Sequence, residues 1–290
     1  MLVYLDTKDL INVLERSEPV SPEELSSTLR EADAQLALSF ITVAEMSAPL
    51  LKQSARTNVM SLLNQLEALP HRFLADCHVE RLELEEAVEA YSSGREYSPI
   101  DPFVRRFDYT IPLKGSPATA VCVNYSIAET IWDLWRNKPA LFNGYATHYG
   151  AYQAVLAQDR ALADPPTLRA NFPSAVQRAI ELHGVRTFDV EIQKLGEWIY
   201  SSPSRCPAKR LTYEVWHRLR SNITDKPKPS DMSDFNHLFA LPYVDAATLD
   251  NRMLGYVTGA TAEWSEGTVA ACFRGAAEIA AQLRSWRQES

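Results

Sequence analysis

Acidic residues stand beside the apolar segments near both ends of the 290-residue chain. Asp6 directly follows the apolar run LVYL at 2–5, and Glu45 comes three residues after the run QLALSFIT at 35–42. The stretch SDMSDFNHLFALPYVDAATLD places four aspartates around one short apolar run: Asp231, Asp234, Asp245 and Asp250. Carboxylates are rarely buried unless they are paired or bound to a metal. If these side chains meet, their repulsion favours a site for Mg²⁺ or Mn²⁺, which prefer oxygen ligands and assist phosphodiester hydrolysis.

The elements that must position these acids alternate between strand and helix near the two ends of the chain. Apolar runs predict strands at 2–5, 35–42, 244–249 and 268–275, with helical segments after them. This alternation is typical of a parallel α/β sheet, in which ligands bind beyond the carboxyl ends of the strands. Asp6 and Asp250 each end a strand, Glu45 starts a helix after the second strand, and Asp231 and Asp234 start a helix that leads into the third. We therefore expect all five acids at one edge of one sheet.

The middle of the chain does not alternate in this way. Its apolar spacing predicts helices at 79–91, 119–136, 148–162, 173–183, 187–200 and 210–221, with a loop at 93–117. We predict an α/β domain formed by 1–70 and 225–290, and a large, mostly helical insertion or subdomain at 71–224.

Each acid also has a purely structural interpretation. Asp6 could cap the helix after the first strand, and Asp250 could be a turn residue. Thr42 and Glu45 match the T-x-x-E pattern of a capping box. These interpretations are reasonable one by one, but together they require the acids to fall at the same edge by accident.

The stretch at 230–250 leaves its own alternatives open. Asp231 or Asp234 could be a helix N-cap, so that one of the two is structural, and Asp245 could bond only to backbone. His237 follows Asp234 by three residues and therefore shares its helix face. This histidine could contact the acids or simply pack inside the protein.

The quoted segments resemble those of PIN-domain nucleases. The similar features are LVYLDT, ITVAE, DMSDFNHLFALPYVDAATLD and the T-x-D step of Thr248 and Asp250. The resemblance covers 1–50 and 225–275, and the gap between them is far longer than in small PIN toxins. It implies a parallel α/β sheet, Mg²⁺ or Mn²⁺ as cofactor, cleavage of single-stranded RNA and, in many members, an antitoxin partner.

The resemblance also implies a set of site residues. The four metal-binding acids would be Asp6, Glu45, Asp234 and Asp250, with Asp231 as an alternative third acid. Thr7 and Thr248 match the hydroxyl positions near the metal.

Other catalytic motifs are missing from the sequence. The six histidines form no HExxH or other paired spacing, so a zinc site is poorly supported. Neither a P-loop, a GxGxxG fingerprint nor a GxSxG elbow occurs, which leaves nucleotide-cofactor and serine-hydrolase chemistry without support.

The net charge of −8 excludes a global basic field for nucleic acid. A local basic patch is possible at 205–228, which contains seven Lys or Arg residues and two acidic residues. Tyr213 and Trp216 in this segment could stack on unpaired bases. The alternative is a solvated helix whose aromatic residues lie in the core. The segment 76–101, with eight acids and two basic residues, should face away from RNA or bind a basic partner.

The N-terminus has no basic flank and only a short apolar run, so we expect no signal peptide, and no run is long enough to span a membrane. The cysteines are far apart and form no CxxC, which predicts free thiols and a cytoplasmic protein. They are Cys77, Cys122, Cys206 and Cys272.

The sequence thus predicts a PIN-like, metal-dependent nuclease acting on RNA, with an insertion that restricts the substrate, binds a regulatory protein such as an antitoxin, or forms a homo-oligomer. The principal alternative is a catalytically inactive PIN-like module that serves as a binding or scaffold domain. A phosphatase for small molecules would share the acids but would need a closed pocket.

Overall fold

The computed structural model describes residues 1–104, 110–112, 119–121, 126–137, 153–154, 156–158, 168–187, 189–226, 228, 230–264 and 268–289. Its main sheet has six strands in the order β4-β3-β2-β1-β7-β8. These strands are β1 (Leu2–Tyr4), β2 (Gln35–Ser39), β3 (His71–Leu74), β4 (Phe103–Val104), β7 (Ala246–Thr248) and β8 (Ala271–Phe273). All neighbouring pairs are parallel except β3 and β4. The predicted α/β class with a parallel sheet is therefore confirmed, with one antiparallel strand at the edge.

Helices pack on both faces of the sheet, and some of them form a further core of their own. They are α1 (Thr7–Leu14), α2 (Pro22–Glu31), α3 (Phe40–Ser47), α4 (Arg56–Ala68), α5 (Asp76–Ser93), α6 (Ile127–Asn137), α7 (Leu168–His183), α8 (Ile192–Tyr200), α9 (Pro207–Ser221), α10 (Asp231–His237), α11 (Asn251–Ala260) and α12 (Ala276–Glu289). Short 3₁₀ helices span Ala48–Leu51, Gln53–Ala55 and Leu238–Tyr243. The first of these contains Pro49, where the sequence predicts a kink or break.

The two faces of the sheet pack into two separate apolar cores. Successive strand residues point to opposite faces, so Val3 joins one core and Tyr4 joins the other. Helices α1, α2, α4 and α12 contribute to the first core, and α9, α11 and the last 3₁₀ helix contribute to the second. Both faces are covered, as is usual for parallel strands, and this explains why β1, β2 and β7 read as continuous apolar runs.

The sheet is wider than the sequence predicts. Strands β3 and β4 lie within 71–224, where no strand was predicted, and β3 pairs with β2 over four residue positions. The helices α7 and α8 share a third core with α5, built around Leu84, Phe172 and Leu195. The segment 71–224 therefore supplies two strands to the main sheet as well as helices with their own core. The division of the chain into two domains stays a prediction.

Several element boundaries differ from those predicted. The second strand ends at Ser39 instead of 42, because the Ser39 hydroxyl accepts a hydrogen bond from the Thr42 backbone and starts α3. The helix predicted at 119–136 begins at Ile127. Thr119–Val121 instead forms β6, which pairs antiparallel with β5 (Thr110–Pro112). Most of the helix predicted at 148–162 lies outside the described residues.

Two of the four cysteines have described side chains. Cys206 is buried and Cys272 is partly buried, and both are free thiols, as the sequence predicts. Cys122 lies outside the described residues. Among the described helices, none combines the length and the apolar character that a membrane span requires.

Candidate functional site

Two parallel neighbouring strands each lead into an aspartate that begins a helix. Asp6 lies two residues after the end of β1 and is the N-cap of α1. Asp250 lies two residues after the end of β7 and is the N-cap of α11. The strands β1 and β7 are adjacent, so both carboxylates lie at the same edge of the sheet.

A pocket of about 550 Å³ opens at this edge. Four of the predicted site residues line it: Asp6, Glu45, Asp234 and Asp250. The other lining residues are Thr7, Lys8, Asp9, Ile11, Asn12, Ser230, His237, Leu249, Asn251 and Arg274. Segments from both ends of the chain thus meet in one acidic pocket.

The predicted capping role of Asp6 is present together with its place in the pocket. The Asp6 carboxylate accepts a hydrogen bond of 2.8 Å from the Lys8 backbone N–H. The Asp250 carboxylate caps its own helix by accepting a 2.6 Å bond from the Met253 backbone N–H. Each helix N-terminus stabilises a negative charge, so capping and a role in an acidic site are compatible.

Glu45 does not belong to a capping box that starts at Thr42, so that alternative is wrong. Ser39 is the N-cap of α3, which puts Thr42 inside the helix and Glu45 in its second turn. The Glu45 Oε2 atom accepts a hydrogen bond of 2.5 Å from the Thr7 hydroxyl. The same oxygen lies 3.0 Å from Nε2 of His237.

His237 lines the pocket but is only 3% exposed. Its Nδ1 atom is 2.5 Å from the Tyr4 hydroxyl, so both ring nitrogens have partners. Burial acts to lower the pKa of His237, but the oxygens of Tyr4 and Glu45 outweigh it, and the pKa lies well above its ordinary value. Of the two interpretations that the sequence leaves open, the structure supports contact with the acids.

Thr248 is fully buried and joins the ends of the two neighbouring strands. Its hydroxyl oxygen accepts a 2.7 Å hydrogen bond from the Asp6 backbone N–H. The same hydroxyl is hydrogen-bonded to the carboxylate of Asp9. Because Asp250 follows two residues later, this contact helps to hold both acidic caps in place.

Asp9 is a pocket residue that the sequence analysis missed. Its pKa is raised to about 6, mainly by burial and in addition by the charge of Asp6, although the hydrogen bond from Thr248 acts in the opposite direction. The signal was available, since Asp6 and Asp9 are three residues apart at the start of one helix and so lie on one face. Arg274, which follows β8, was missed as well.

The carboxyl group of Asp234 shows how crowded the acids are. Burial raises its pKa to about 7, and the charges of Asp250 and Asp6 act in the same direction. His237 and a hydrogen bond from Ser230 oppose the shift without cancelling it. These influences require Asp234 to lie close to acids from both ends of the chain.

Asp231 is not a pocket residue, which corrects its place among the candidate catalytic acids. Its side chain is fully buried and forms an ion pair with Arg252. A carboxylate oxygen also accepts a 2.9 Å hydrogen bond from the Lys228 backbone N–H. A buried carboxylate needs such a partner, so Asp231 stabilises the fold and Asp234 is the third acid of the pocket.

Asp245 bonds to backbone, as one of the predicted alternatives has it. Its carboxylate accepts a 2.6 Å hydrogen bond from the Leu2 N–H, and its own N–H donates to the Leu2 carbonyl. This pair aligns β7 with β1 at the end of the strands opposite the pocket.

The basic segment at 205–228 uses several side chains inside the protein. Lys209 pairs with Glu80 at 2.7 Å, and Arg210 pairs with Glu214 at 2.9 Å. These two cations therefore already have acidic partners within the chain.

The aromatic residues of that segment also pack internally. The Tyr213 ring packs against Phe172 with centroids 5.1 Å apart, and the Trp216 ring packs against Phe235 at 5.5 Å. The alternative of a helix with its aromatic residues in the core therefore describes this segment better than a base-stacking surface. The cations that line the pocket are Lys8 and Arg274.

The pocket offers the donor atoms that Mg²⁺ and Mn²⁺ prefer. Its acids carry oxygen atoms that can act as ligands, and burial, together with the charges of neighbouring carboxylates, raises the pKa values of Asp9 and Asp234. As placed, the described side chains include no group of three or more His, Cys, Asp or Glu in a coordinating arrangement.

No family model, curated protein or solved structure matches the chain.

Proposed function

We propose that the protein is a PIN-like, metal-dependent nuclease that hydrolyses phosphodiester bonds in single-stranded RNA. The observation that carries this proposal is the convergence of Asp6, Glu45, Asp234 and Asp250 in one pocket at the carboxyl edge of a parallel sheet. These are the four acids that the sequence resemblance selects as metal ligands.

The charges in the pocket support a role for a divalent cation. Asp234 and Asp9 have raised pKa values because they are buried near other carboxylates. A divalent cation that displaces their protons would compensate the negative charges of these carboxylates. Asp6, Glu45, Asp234 and Asp250 would hold it, and when bound it would supply Lewis-acid chemistry by polarising a phosphodiester.

The remaining residues of the pocket have roles that follow from their positions. Lys8 and Arg274 line it and could bind phosphate oxygens through charge-assisted hydrogen bonds. Thr7 and His237 hold Glu45, and Thr248 holds the Asp6 backbone. The pocket opens to solvent at the sheet edge, which suits a chain-like substrate.

The catalytically inactive alternative rests on a specific observation. Asp6 and Asp250 both cap helices, so their presence has a structural reason that requires no metal. An inactive module of this kind would bind no cation in the pocket and would cut no RNA.

The test is cleavage of labelled single-stranded RNA with Mn²⁺ or Mg²⁺, before and after chelation. Asp6→Asn and Asp250→Asn should abolish cleavage without changing stability, because asparagine caps a helix about as well as aspartate. Asp33→Asn is the matched control, since Asp33 is exposed and lies outside the pocket. It should cleave like the wild type.

Cleavage that persists in both pocket variants would assign the activity to a contaminant and remove the proposal. Binding of Mn²⁺ by the wild type without cleavage of RNA or single-stranded DNA would favour a small-molecule phosphatase, which phosphomonoester substrates would detect. Lack of Mn²⁺ binding would favour the inactive module.

A further inference from the structure

We infer that His237 is a positioning residue, whose imidazole is held by Tyr4 and orients the Glu45 carboxylate within the pocket. This inference rests on the proposed function, because it assigns to His237 a part in building the cation site. It concerns a residue that needs no contact with the substrate.

The geometry places the His237 ring between two polar groups inside the protein. Nε2 lies 3.0 Å from Glu45 Oε2, and Nδ1 lies 2.5 Å from the Tyr4 hydroxyl. Both His237 and Tyr4 are almost fully buried. The ring therefore cannot exchange either partner for solvent, and its orientation is set by these two contacts.

Tyr4 is itself held in a network at the start of α3. Its hydroxyl shares hydrogen bonds of 3.0 Å with the hydroxyls of Ser39 and Thr42, which also bond to each other. Ser39 caps the helix that carries Glu45. One buried network therefore connects β1, the start of α3 and the end of α10.

The proton positions give the contact with Glu45 a definite direction. A neutral ring that accepts the Tyr4 O–H at Nδ1 carries its proton on Nε2, which then donates to Glu45. A charged ring donates from both nitrogens and makes the same bond to Glu45. The other neutral tautomer would set a lone pair against the carboxylate, so Nε2–H is the donor in both favourable states.

A glutamate side chain needs such support if it is to act as a ligand. Its long side chain loses rotamer freedom when it is fixed, and donors that hold one oxygen reduce that cost at the time of binding. The Thr7 hydroxyl and the His237 ring both contact Oε2 of Glu45. Outer partners of this kind typically change metal affinity or activity about 10- to 100-fold when they are removed.

A merely structural histidine would also lower stability when replaced, so the test needs a matched control. His183 supplies it, because its Nε2 lies 2.7 Å from Glu80 in a second partly buried His–Glu pair that lies outside the pocket. The variants are His237→Leu, His237→Gln and Tyr4→Phe, with His183→Leu as the control.

The measurements are the Mn²⁺ dissociation constant by calorimetry and the thermal unfolding of each variant. His237→Leu should weaken Mn²⁺ binding by about 10- to 100-fold, and Tyr4→Phe should weaken it less. His237→Gln, whose amide can still donate to Glu45, should recover part of the affinity. His183→Leu should leave Mn²⁺ binding unchanged even where it lowers the unfolding temperature.

A direct readout does not depend on metal. Nitrogen NMR of the His237 ring should show a proton on Nε2 in the metal-free protein. An unprotonated Nε2, or unchanged Mn²⁺ affinity in folded His237→Leu or Tyr4→Phe, would overturn the inference and leave the nuclease proposal standing. A wild type that binds Mn²⁺ but cuts no RNA would remove the nuclease and leave the inference intact, whereas failure to bind Mn²⁺ would remove both.

Discussion

The backbone N–H of Asp6 donates a 2.7 Å hydrogen bond to the buried hydroxyl of Thr248. The two residues are at opposite ends of the sequence, yet they lie side by side because β1 and β7 are neighbouring parallel strands. The hydroxyl also contacts the Asp9 carboxylate. A single buried threonine therefore connects two pocket acids and lies two residues before a third, Asp250.

Replacing Thr248 by valine should test this connection. Valine has nearly the same shape, but it leaves the Asp6 N–H without its acceptor, which costs about 1–3 kcal/mol for a buried group. We expect Thr248→Val to lower the free energy of unfolding by that amount in urea and to weaken Mn²⁺ binding. Thr248→Ser keeps the hydroxyl and should recover most of both. Equal behaviour of the two variants would show that the hydroxyl does not hold the site.

Asp231 should behave as a structural acid. Asp231→Asn removes the charge that pairs with the Arg252 guanidinium in a buried position. The loss should be about 3 kcal/mol in the free energy of unfolding, because the remaining charge is left poorly compensated; Asp225, which also pairs with Arg252, limits the damage. Urea unfolding measures this directly.

The same variant distinguishes structure from metal binding. Under conditions in which Asp231→Asn remains folded, its Mn²⁺ affinity should equal that of the wild type, whereas Asp234→Asn should lose Mn²⁺ binding with little change in stability. Reversed results would restore Asp231 as the third acid.

Mn²⁺ binding should strengthen as the pH rises toward about 7. The Asp234 pKa is raised to about 7 by burial and by the charges of Asp250 and Asp6, and that of Asp9 is raised to about 6. Below these values a cation must displace a proton, so the affinity should fall as the pH is lowered and level off above about pH 7.

Calorimetry in buffers of different ionisation enthalpy counts the protons that are released. Near pH 6 Asp234 is mostly protonated and Asp9 about half protonated, so we expect between one and two protons released per Mn²⁺ in the wild type and about one in Asp9→Asn. An affinity that stays constant between about pH 5 and pH 8 would contradict the assignment of Asp234 as a ligand.

Glu83 should make stability depend on pH in a region away from the pocket. This fully buried residue of α5 accepts hydrogen bonds from the backbone N–H groups of Ala208 and Lys209 at the start of α9, and from the Tyr243 hydroxyl. Burial nevertheless raises its pKa from 4.5 to about 7. Between these values the folded state binds more protons than the unfolded state, so the contribution of Glu83 is fully present below about pH 4.5 and is lost as the pH rises through 7.

Urea unfolding of the wild type and of Glu83→Gln at a series of pH values checks this sign. The stability of the wild type relative to the variant should decrease by up to roughly 3 kcal/mol between about pH 4.5 and pH 7. A relative stability that increases over this range would mean that the hydrogen bonds at the helix start keep Glu83 ionised.

Some elements could be predicted because their own residues carry the signal. Strands β1, β2 and β7 are buried on both faces and so form short, continuous apolar runs. Strand β3 was missed because its sequence HRFL contains two polar residues, and its first three residues are only partly buried or exposed. It belongs to the sheet because it pairs with β2, which is a property of the partner as much as of the strand.

Some of the site acids could likewise be predicted from the sequence, and others could not. The position of Asp6 and Asp250 directly after apolar runs was enough to place them at a common edge, since parallel strands point their carboxyl ends in one direction. The choice between Asp231 and Asp234 was not available from the sequence. It depends on how the first turn of α10 packs, because Asp234 lines the pocket whereas Asp231, at the start of the helix, is paired with Arg252.

The sequence by itself therefore determined the α/β class and the acids that end its strands, because periodicity and chain direction are local properties. Tertiary structure alone decided that His237 bridges Tyr4 and Glu45 and that Arg252 neutralises Asp231. These contacts connect residues on different elements, and they exist only after packing has set the distance and the rotation between those elements. Asp231 is paired with a cation of the protein itself, whereas Asp234 lies among other carboxylates in the pocket, and only this difference in neighbours separates a structural acid from a candidate metal ligand.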